Sequence, residues 1–157
     1  MFVADIMTRD PVTIRQGATL TRALKIMLER EYQQLPVLSD QGHVIGLISQ
    51  RDCRRILDLP ESGSELEALA AINGKHDKLR VGDHMRPAPI VVEPDTPVHE
   101  AARLMTTHHV RCLPVMRGET LVGIITTSDL LIAFMRTLRR DEKADHIISS
   151  MRGFPST

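Results

Sequence analysis

Two copies of a short motif, G-x-x-[ST]-x-x-D, hold the side chains best suited to chemistry. Its last two fixed positions are Ser49 and Asp52 in the first copy, and Thr126 and Asp129 in the second. Each hydroxyl residue is predicted to stand where a strand ends and a helix begins, and unpaired N–H groups there favour a phosphate. The carboxylate three residues later can accept the two hydrogen bonds that a ribose diol donates. The motif therefore fits a nucleoside phosphate.

The same pattern also has an explanation that needs no ligand. A hydroxyl residue followed three positions later by an acidic residue, ahead of an apolar helix, is a capping box. Recurrence of the motif fits both explanations, because a duplicated unit would preserve a structural cap as readily as a binding site. Both alternatives stay open on the sequence alone.

Few other side chains are candidates for a site. Arg111 could reach a phosphate, or it could be a solvated surface arginine. His108 and His109 are adjacent and cannot share a helix face, and no Cys or carboxylate stands at ligand spacing, so we expect no metal site. Cys112 is predicted to lie in a buried strand as a small core residue rather than a nucleophile.

Signatures of catalysis are missing from the sequence. It has no Ser-His-Asp order, nucleophile elbow, GxxxxGK[ST] or GxGxxG, and no paired carboxylates in a plausible pocket. We therefore expect a protein that is not an enzyme and that requires no cofactor.

Composition narrows the functional classes further. The 157 residues include 20 basic and 20 acidic side chains, so no basic excess indicates nucleic acid. Aromatic residues make up 3%, which predicts an aliphatic core and argues against stacking of several bases. The apolar runs are too short for a bilayer, no secretory signal is visible, and the two cysteines lack a CxxC spacing. We expect a cytoplasmic protein without a membrane partner.

The chain repeats itself. Pro36, in the segment QLPVL, recurs as Pro114 in CLPVM 78 residues later, and Met7 recurs as Met85 at the same offset. The offset falls to 77 at the motif glycines, so one residue is lost in the turn between two strands. Four units are predicted. They are a first repeat at 1–59, a connector at 60–80 that contains a short helix over 65–72, a second repeat at 81–140, and a C-terminal tail at 141–157 without a clear pattern.

Each copy has the same predicted order, β-α-β-β-α, which makes the chain an α/β protein whose copies pack against each other. The elements predicted for the first copy are a helical turn at 4–7, a strand at 12–14, a helix at 20–28, strands at 35–38 and 44–48, and a helix from Ser49. The continuous apolar strand at 44–48 is expected to be buried on both faces. The last helix of the second copy has a wide apolar face of Leu130, Leu131, Phe134, Met135 and Leu138, with Arg136, Arg139 and Arg140 toward its C-terminal end.

Together these features resemble the CBS domain pair, also called a Bateman module. The resemblance rests on residues 5–14, LPV at 35–37, GLISQRD at 46–52 and their second-copy counterparts. The segments at 48–52 and 112–115 are also similar to small stand-alone two-repeat bacterial proteins of acetoin-utilisation type. The resemblance implies two tandem repeats packed with pseudo-twofold symmetry, and a homodimer formed through the repeat helices.

The resemblance also implies two clefts, each built from both copies. The first, the Asp129 cleft, would use Thr126 and Asp129 for phosphate and ribose, Arg111 at the phosphate end, and Thr8, Thr13, Tyr32 and Gln33 around the adenine. The second, the Asp52 cleft, would use Ser49 and Asp52, with Arg86, Val91, Val110 and Gln33 nearby. Because Gln33 stands where the second copy has Arg111, we expect the Asp129 cleft to be the better phosphate site. The Asp52 cleft is then weak, empty or selective for a less charged ligand such as S-adenosylmethionine.

Two hypotheses therefore remain. In the first, the chain is a regulatory module that binds AMP, ADP, ATP or S-adenosylmethionine and signals to an unknown protein partner by a conformational shift. In the second, it is an interaction scaffold without a physiological nucleotide ligand, and both motifs are only helix caps.

Overall fold

The structure is a computed structural model, and it describes residues 1–60, 63–73 and 78–151. Its elements, in chain order, are α1 (Val3–Ile6), β1 (Thr8–Arg9), β2 (Ile14–Arg15), α2 (Leu20–Arg30), β3 (Gln34–Leu38), β4 (Val44–Ser49), α3 (Gln50–Ile56), α4 (Glu65–Asn73), α5 (Val81–His84), β5 (Arg86–Pro87), α6 (Val98–His108), β6 (Cys112–Arg117), β7 (Thr120–Thr126) and α7 (Thr127–Met151). The α/β class and the two similar halves predicted from the sequence are confirmed.

Both sheets combine strands from the two repeats. One sheet has the order β2-β3-β4-β5 and the other the order β1-β7-β6. Strand β1 of the first repeat therefore lies on the second repeat's sheet, with Thr8 opposite Ile124. Strand β5 of the second repeat lies on the first repeat's sheet, with Arg86 opposite Leu47. This reciprocal exchange places elements of both repeats beside each strand-to-helix junction.

The short helices α1 and α5, which precede the exchanged strands β1 and β5, also pack on the other repeat. The amide of Val3 donates to the carbonyl of Thr96 at 2.8 Å, and the amide of Val81 donates to Ala18 at 2.8 Å. Val3 is buried in the core of the second repeat, and Val81 is buried in the core of the first. Each repeat thus fills part of the other's core.

The long helices α2 and α6 show how closely the two copies match. The apolar face predicted for α2 is buried, from Leu20 to Leu28. Helix α2 ends at Glu31 with φ 59°, and α6 ends 78 residues later at His109 with φ 54°. A left-handed residue at this position closes the helix, and its recurrence at non-glycine residues fixes the turn into β3 and β6.

The motif glycines are explained by the exchanged strands. A Cβ on Gly46 would lie 2.8 Å from the carbonyl oxygen of Arg86 and against the side chain of Met85. A Cβ on Gly123 would lie 2.9 Å from the carbonyl oxygen of Thr8. Glycine is needed because the paired strand of the other repeat, β5 beside β4 and β1 beside β7, approaches too closely for a Cβ.

Two strand predictions need correction. The strand predicted at 12–14 lies instead at Ile14–Arg15, where it pairs in parallel with β3, while β1 and β5 were not predicted. Strand β4 is not buried on both faces, since Ile48 is buried while Leu47 is only half-buried. A two-residue strand leaves no periodicity to read. Strand β4 pairs antiparallel with both of its neighbours, and antiparallel strands often have one face that is only partly covered.

The tail also differs from its prediction. Helix α7 continues through the region without a predicted pattern and ends at Met151. Arg136, Arg139 and Arg140 therefore lie in the middle of the helix rather than at its end. No Gly or Pro interrupts residues 127–151, and helix-favouring residues such as Arg, Glu, Lys and Ala extend it. In the connector, α4 matches the predicted short helix. Gly74, which is expected to end that helix, lies outside the described residues.

The wide apolar face of α7 is turned largely to solvent. Leu131 is 63% exposed and Phe134 60% exposed, and Met135 and Leu138 are also exposed. Leu130 is the exception, because it packs on the second core. No helix in the described part of the chain combines the length and apolar character needed to cross a membrane.

Candidate functional site

Both motif hydroxyls cap a helix, as the sequence predicts. Ser49 Oγ accepts a hydrogen bond from the amide of Asp52 at 3.0 Å, and Thr126 Oγ1 accepts one from the amide of Asp129 at 3.2 Å. Each hydroxyl satisfies an amide that the first helical turn would otherwise leave unpaired. The caps are therefore structural features of both repeats.

The second repeat completes the capping box. One carboxylate oxygen of Asp129, Oδ2, accepts from the amide of Thr126 at 2.9 Å and from its hydroxyl at 3.0 Å. Within the described residues, the other oxygen, Oδ1, has no hydrogen-bond partner. Asp129 thus serves the cap with one oxygen and leaves the other available to a ligand.

The first repeat leaves its box open. The carboxylate of Asp52 turns to two guanidinium groups, with Oδ1 3.4 Å from Nη2 of Arg55 and Oδ2 3.6 Å from Nε of Arg86. The Asp52 side chain is only 11% exposed, whereas that of Arg86 is 71% exposed. Arg86 belongs to the second repeat, and the pairing of β5 with β4 brings it to this position. One of the two ion pairs therefore joins the repeats.

The sequence explains why the two carboxylates differ. Arg86 corresponds to Thr8 at the 78-residue offset, and Arg55 corresponds to Ile132 at the 77-residue offset. The two cations beside Asp52 are thus replaced around Asp129 by a hydroxyl and an apolar side chain. The sequence comparison of the two clefts considered only Gln33 and Arg111, so it missed the two arginines beside Asp52. The three-residue spacing of Asp52 and Arg55 on a helix was the signal that could have revealed one of the two pairs.

Arg111 and Gln33 hold equivalent positions beside the helix starts. The carbonyl of Arg111 accepts from the amide of Thr127 at 3.0 Å, and that of Gln33 accepts from the amide of Gln50 at 2.8 Å. Both side chains are exposed. Arg111 therefore lies beside the start of α7, and Gln33 lies beside the start of α3.

The residues expected around the adenine are less closely grouped. Tyr32 is half-buried against the first core, and its carbonyl accepts from Nε2 of Gln50 at 3.2 Å. Thr8 is exposed on β1, Val91 is 46% exposed, and Val110 is half-buried against the second core. Within the described residues, no hydrogen bond joins Tyr32 or Gln33 to Asp129, and neither residue lines the cavity beside Asp129.

A cavity of about 210 Å³ opens beside Asp129, between the first repeat's α1 and the second repeat's α7. Its lining residues are Asp5, Ile6, Met7, Asp129, Ile132, Ala133 and Arg136. A second cavity of about 450 Å³ contains Thr13, together with Asp10, Pro11, Leu38, Gly42, Glu119, Thr120 and Leu121. Thr13 and Asp129 therefore line different cavities. Arg136 was not predicted as a site residue, although it lies two helical turns from Asp129 on the same face.

Cys112 lies on β6, opposite Thr126 in the β6–β7 pair. It is 2% exposed, which confirms the buried strand position. Burial, together with the negative charge of Asp129, raises the pKa of the Cys112 thiol to about 12. The thiol is therefore protonated at neutral pH and is a poor nucleophile. In the described ranges, no cluster of three or more His, Cys, Asp or Glu side chains could hold a metal ion.

Comparison with known proteins identifies the repeat. A family model described as CBS domain matches residues 3–59 and again residues 81–136. A CBS domain-containing protein of Dictyostelium discoideum is 33% identical over 145 residues, covering 88% of this chain and 94% of the relative.

Solved structures show the same fold. A Vibrio cholerae protein described as an acetoin utilization protein (AcuB) superposes with a TM-score of 0.70 at 28% identity, covering 91% of this chain and 96% of that one. The structure of CBSX2 in complex with AMP, a protein of Arabidopsis thaliana, gives 0.69 at 29% identity, covering 87% and 97%. By contrast, the chain spans only 23% of two homoserine O-acetyltransferases, from Methanococcoides burtonii and Methanohalobium evestigatum.

Proposed function

The chain belongs to the CBS domain family, and from this premise we propose that its two repeats form a regulatory module that binds adenosine-containing ligands. AMP is the first candidate, ahead of ADP, ATP and S-adenosylmethionine. The single observation that carries the proposal is the Asp129 carboxylate, which has one oxygen in the cap and one available beside a cavity between the repeats. The module itself carries out no catalysis.

The ribose and phosphate positions follow from these groups. Oδ1 of Asp129 accepts a hydrogen bond from the ribose diol. The start of α7 offers its N–H groups and the positive end of the helix dipole to the phosphate. Arg111, whose carbonyl accepts from the amide of Thr127, and Arg136, which lines the cavity two helical turns beyond Asp129, provide the positive charge that such a ligand needs.

The full set of proposed contacts keeps the two clefts expected from the sequence. In the Asp129 cleft these are Thr126, Asp129, Arg111, Thr8, Thr13, Tyr32 and Gln33, and in the Asp52 cleft they are Ser49, Asp52, Arg86, Val91, Val110 and Gln33. The cavity at Asp129 is smaller than the roughly 300–1,000 Å³ typical of ligand sites. Binding of a nucleotide therefore requires the cleft to widen until Thr13 and Asp129 face the same ligand.

That widening is the proposed signal. Each cleft contains elements of both repeats, so a ligand that prefers the open arrangement shifts the repeats relative to each other. The exposed apolar face of α7, from Leu131 to Leu138, joins two copies into a homodimer and transmits the shift to a protein partner. A cytoplasmic location is part of the same proposal, since free adenine nucleotides occur there.

The AMP complex of CBSX2 supports this choice of ligand, because its chain is 29% identical over nearly its whole length. The alternative function is an interaction scaffold that binds no nucleotide. The complete Thr126–Asp129 capping box favours that alternative, because the motif is structurally useful without any ligand.

Thermal unfolding with AMP, ADP, ATP, S-adenosylmethionine and ribose 5-phosphate separates the two functions. A ligand at a hundred times its Kd stabilises the fold by about 2.7 kcal/mol, which raises the Tm of a domain of this size by about 5–10 °C. We expect AMP to raise the Tm and ribose 5-phosphate to have a much smaller effect. Unchanged Tm values with every adenosine ligand would leave the scaffold as the function.

Variants then test the cleft. Asp129→Asn keeps an oxygen for the cap but removes the charge that holds the ribose, so AMP should bind about tenfold more weakly by calorimetry. Asp141→Asn, at an exposed position further along α7, is the matched control and should bind AMP as the wild type does. Equal affinities for the two variants would reject the Asp129 cleft.

A further inference from the structure

We propose that Arg86 makes the Asp52 cleft a phosphate-requiring site. In the free protein the guanidinium of Arg86 forms an ion pair with the Asp52 carboxylate, and only a ligand with a phosphate can draw the guanidinium away. The inference rests on the proposed function and assigns ligand selection at one of its two clefts. It makes the two clefts of one chain different in the ligands that they accept.

The first step is that the carboxylate of Asp52 is already engaged. Its two oxygens face the guanidinium groups of Arg55 and Arg86 at 3.4 and 3.6 Å. A ribose diol needs the same oxygens. A neutral nucleoside must therefore displace a cation from a carboxylate that is only 11% exposed, and it offers no charge in return.

The second step is that Arg86 can move without disturbing the fold. Its backbone is fixed by the pairing of β5 with β4, where it lies opposite Leu47, two residues before Ser49. Its side chain, by contrast, is 71% exposed. The guanidinium can thus swing from Asp52 to the phosphate of a nucleotide in the cleft, and a bidentate arginine–phosphate contact replaces the ion pair that is lost.

The third step is the comparison within the molecule. In the Asp129 cleft, Thr8 stands at the position of Arg86 and Ile132 at the position of Arg55. Within the described residues, Oδ1 of Asp129 has no hydrogen-bond partner, so a neutral nucleoside meets no competing cation there. The same exchanged-strand geometry therefore gives one open carboxylate and one that is covered.

The ligand classes follow from these charges. The Asp52 cleft accepts nucleoside phosphates and rejects adenosine. It also rejects the cationic S-adenosylmethionine, because two arginines repel the sulfonium group. This selectivity is opposite to the expectation, drawn from Gln33 alone, that the Asp52 cleft prefers a less charged ligand.

Calorimetry in the Asp129→Asn background, where the Asp129 cleft binds AMP about tenfold more weakly, reports mainly on the Asp52 cleft. AMP and adenosine are titrated into this protein and into versions that also contain Arg86→Thr, which installs the residue of the other repeat. Arg117→Thr, at an exposed position at the end of β6 and outside the residues that contact Asp52, is the matched control. Arg86→Lys, which keeps the charge, serves as a second variant, and melting curves check that each protein is folded.

We expect AMP to bind the background protein and adenosine to bind it at least tenfold more weakly. Arg86→Thr should weaken AMP about 10–100-fold, because a charge-assisted contact is lost, and should strengthen adenosine. Arg86→Lys should keep the preference for AMP, and Arg117→Thr should change neither ligand. The inference is overturned if Arg86→Thr leaves the ratio of AMP to adenosine affinity unchanged.

A second result separates this inference from the proposed function. If the wild type binds AMP and the Asp129→Asn protein keeps only a weakened site whose affinity does not depend on Arg86, the proposed function stands and the phosphate-requiring Asp52 cleft is rejected. If no protein in the series binds AMP, both proposals fail together.

Discussion

The carboxylate of Asp52 in the first repeat lies 3.6 Å from Nε of Arg86 in the second repeat. The equivalent pair in the other cleft is Asp129 and Thr8, and there the carboxylate turns back to its own helix cap instead. Two differences between the repeats, Arg86 for Thr8 and Arg55 for Ile132, thus change the environment of the motif carboxylate. Duplicated binding sites can diverge in this way without any change of fold.

The close approach of the exchanged strand β5 to Gly46 predicts that a side chain at this position lowers stability. Gly46→Ala places a methyl group 2.8 Å from the carbonyl of Arg86, so β5 must move. We expect a loss of about 1–3 kcal/mol in the free energy of unfolding, measured with urea. Gly17→Ala, where a Cβ meets nothing within 4 Å, is the control and should change stability by less than about 0.5 kcal/mol. Equal effects at both positions would contradict the close crossing.

The helix cap predicts a second effect that is independent of ligand. Thr126→Val keeps the side-chain volume but removes the hydroxyl that accepts from the amide of Asp129. The free energy of unfolding should fall by about 1 kcal/mol without nucleotide, whereas Thr126→Ser should stay close to the wild type. If Thr126→Val is as stable as the wild type in urea, the hydroxyl is not the cap that its contacts indicate.

The duplicated pattern predicted most of the fold because each repeat carries strong local signals. The apolar face of α2, the QLPVL strand and the Ser49 cap are local in sequence, and all three are present. The exchanged strands were missed because β1 and β5 exist only through pairing with the other repeat. The continuation of α7 to Met151 was missed because the charged run from Arg139 to Lys143 interrupts the apolar face, although Ala144, Ile147, Ile148 and Met151 stand at helical spacing beyond it.

The candidate site was predicted less completely for a related reason. The motif identified both carboxylates, since its spacing is local. Whether a carboxylate faces a cap or an arginine depends on residues that arrive from a distant strand, as Arg86 does at Asp52. Side-chain partners across two repeats cannot be derived from the periodicity of either one.

The buried thiol of Cys112 predicts resistance to alkylation. Burial and the charge of Asp129 raise the pKa of this thiol to about 12 from its usual 9.0. Iodoacetamide at pH 8 should leave Cys112 unmodified in the folded protein and modify it after unfolding in urea, as peptide mass spectrometry can show. Rapid modification of Cys112 in the folded protein would contradict its burial.

The same pKa shift predicts an alkaline dependence of stability. The folded state holds the Cys112 proton more tightly than the unfolded state, so its contribution is full below pH 9 and is lost as pH rises toward 12. The free energy of unfolding should therefore fall more steeply over this range in the wild type than in Cys112→Ala. Identical slopes for the two proteins would show that the thiol does not titrate differently on folding.

The exposed apolar face of α7 predicts self-association. Phe134→Glu places a charge in the middle of this face, where Phe134 is 60% exposed, so a dimer should dissociate without loss of the fold. Light scattering coupled to size exclusion measures the mass. Leu66→Glu, at a 78% exposed position on α4, is the control and should remain dimeric. A monomeric wild type at micromolar concentration would contradict the proposed dimer.

Binding of AMP between the repeats is most directly tested by following the backbone amide NMR signals of the wild type during an AMP titration. We expect the largest shifts at residues 126–129, with further shifts at Thr8, Thr13 and Arg111, because the ligand contacts the start of α7 and the first repeat's exchanged segment. Residues 65–73 of α4 should not shift. An unchanged spectrum, or shifts that avoid the Thr126–Asp129 junction, would contradict a nucleotide site in this cleft.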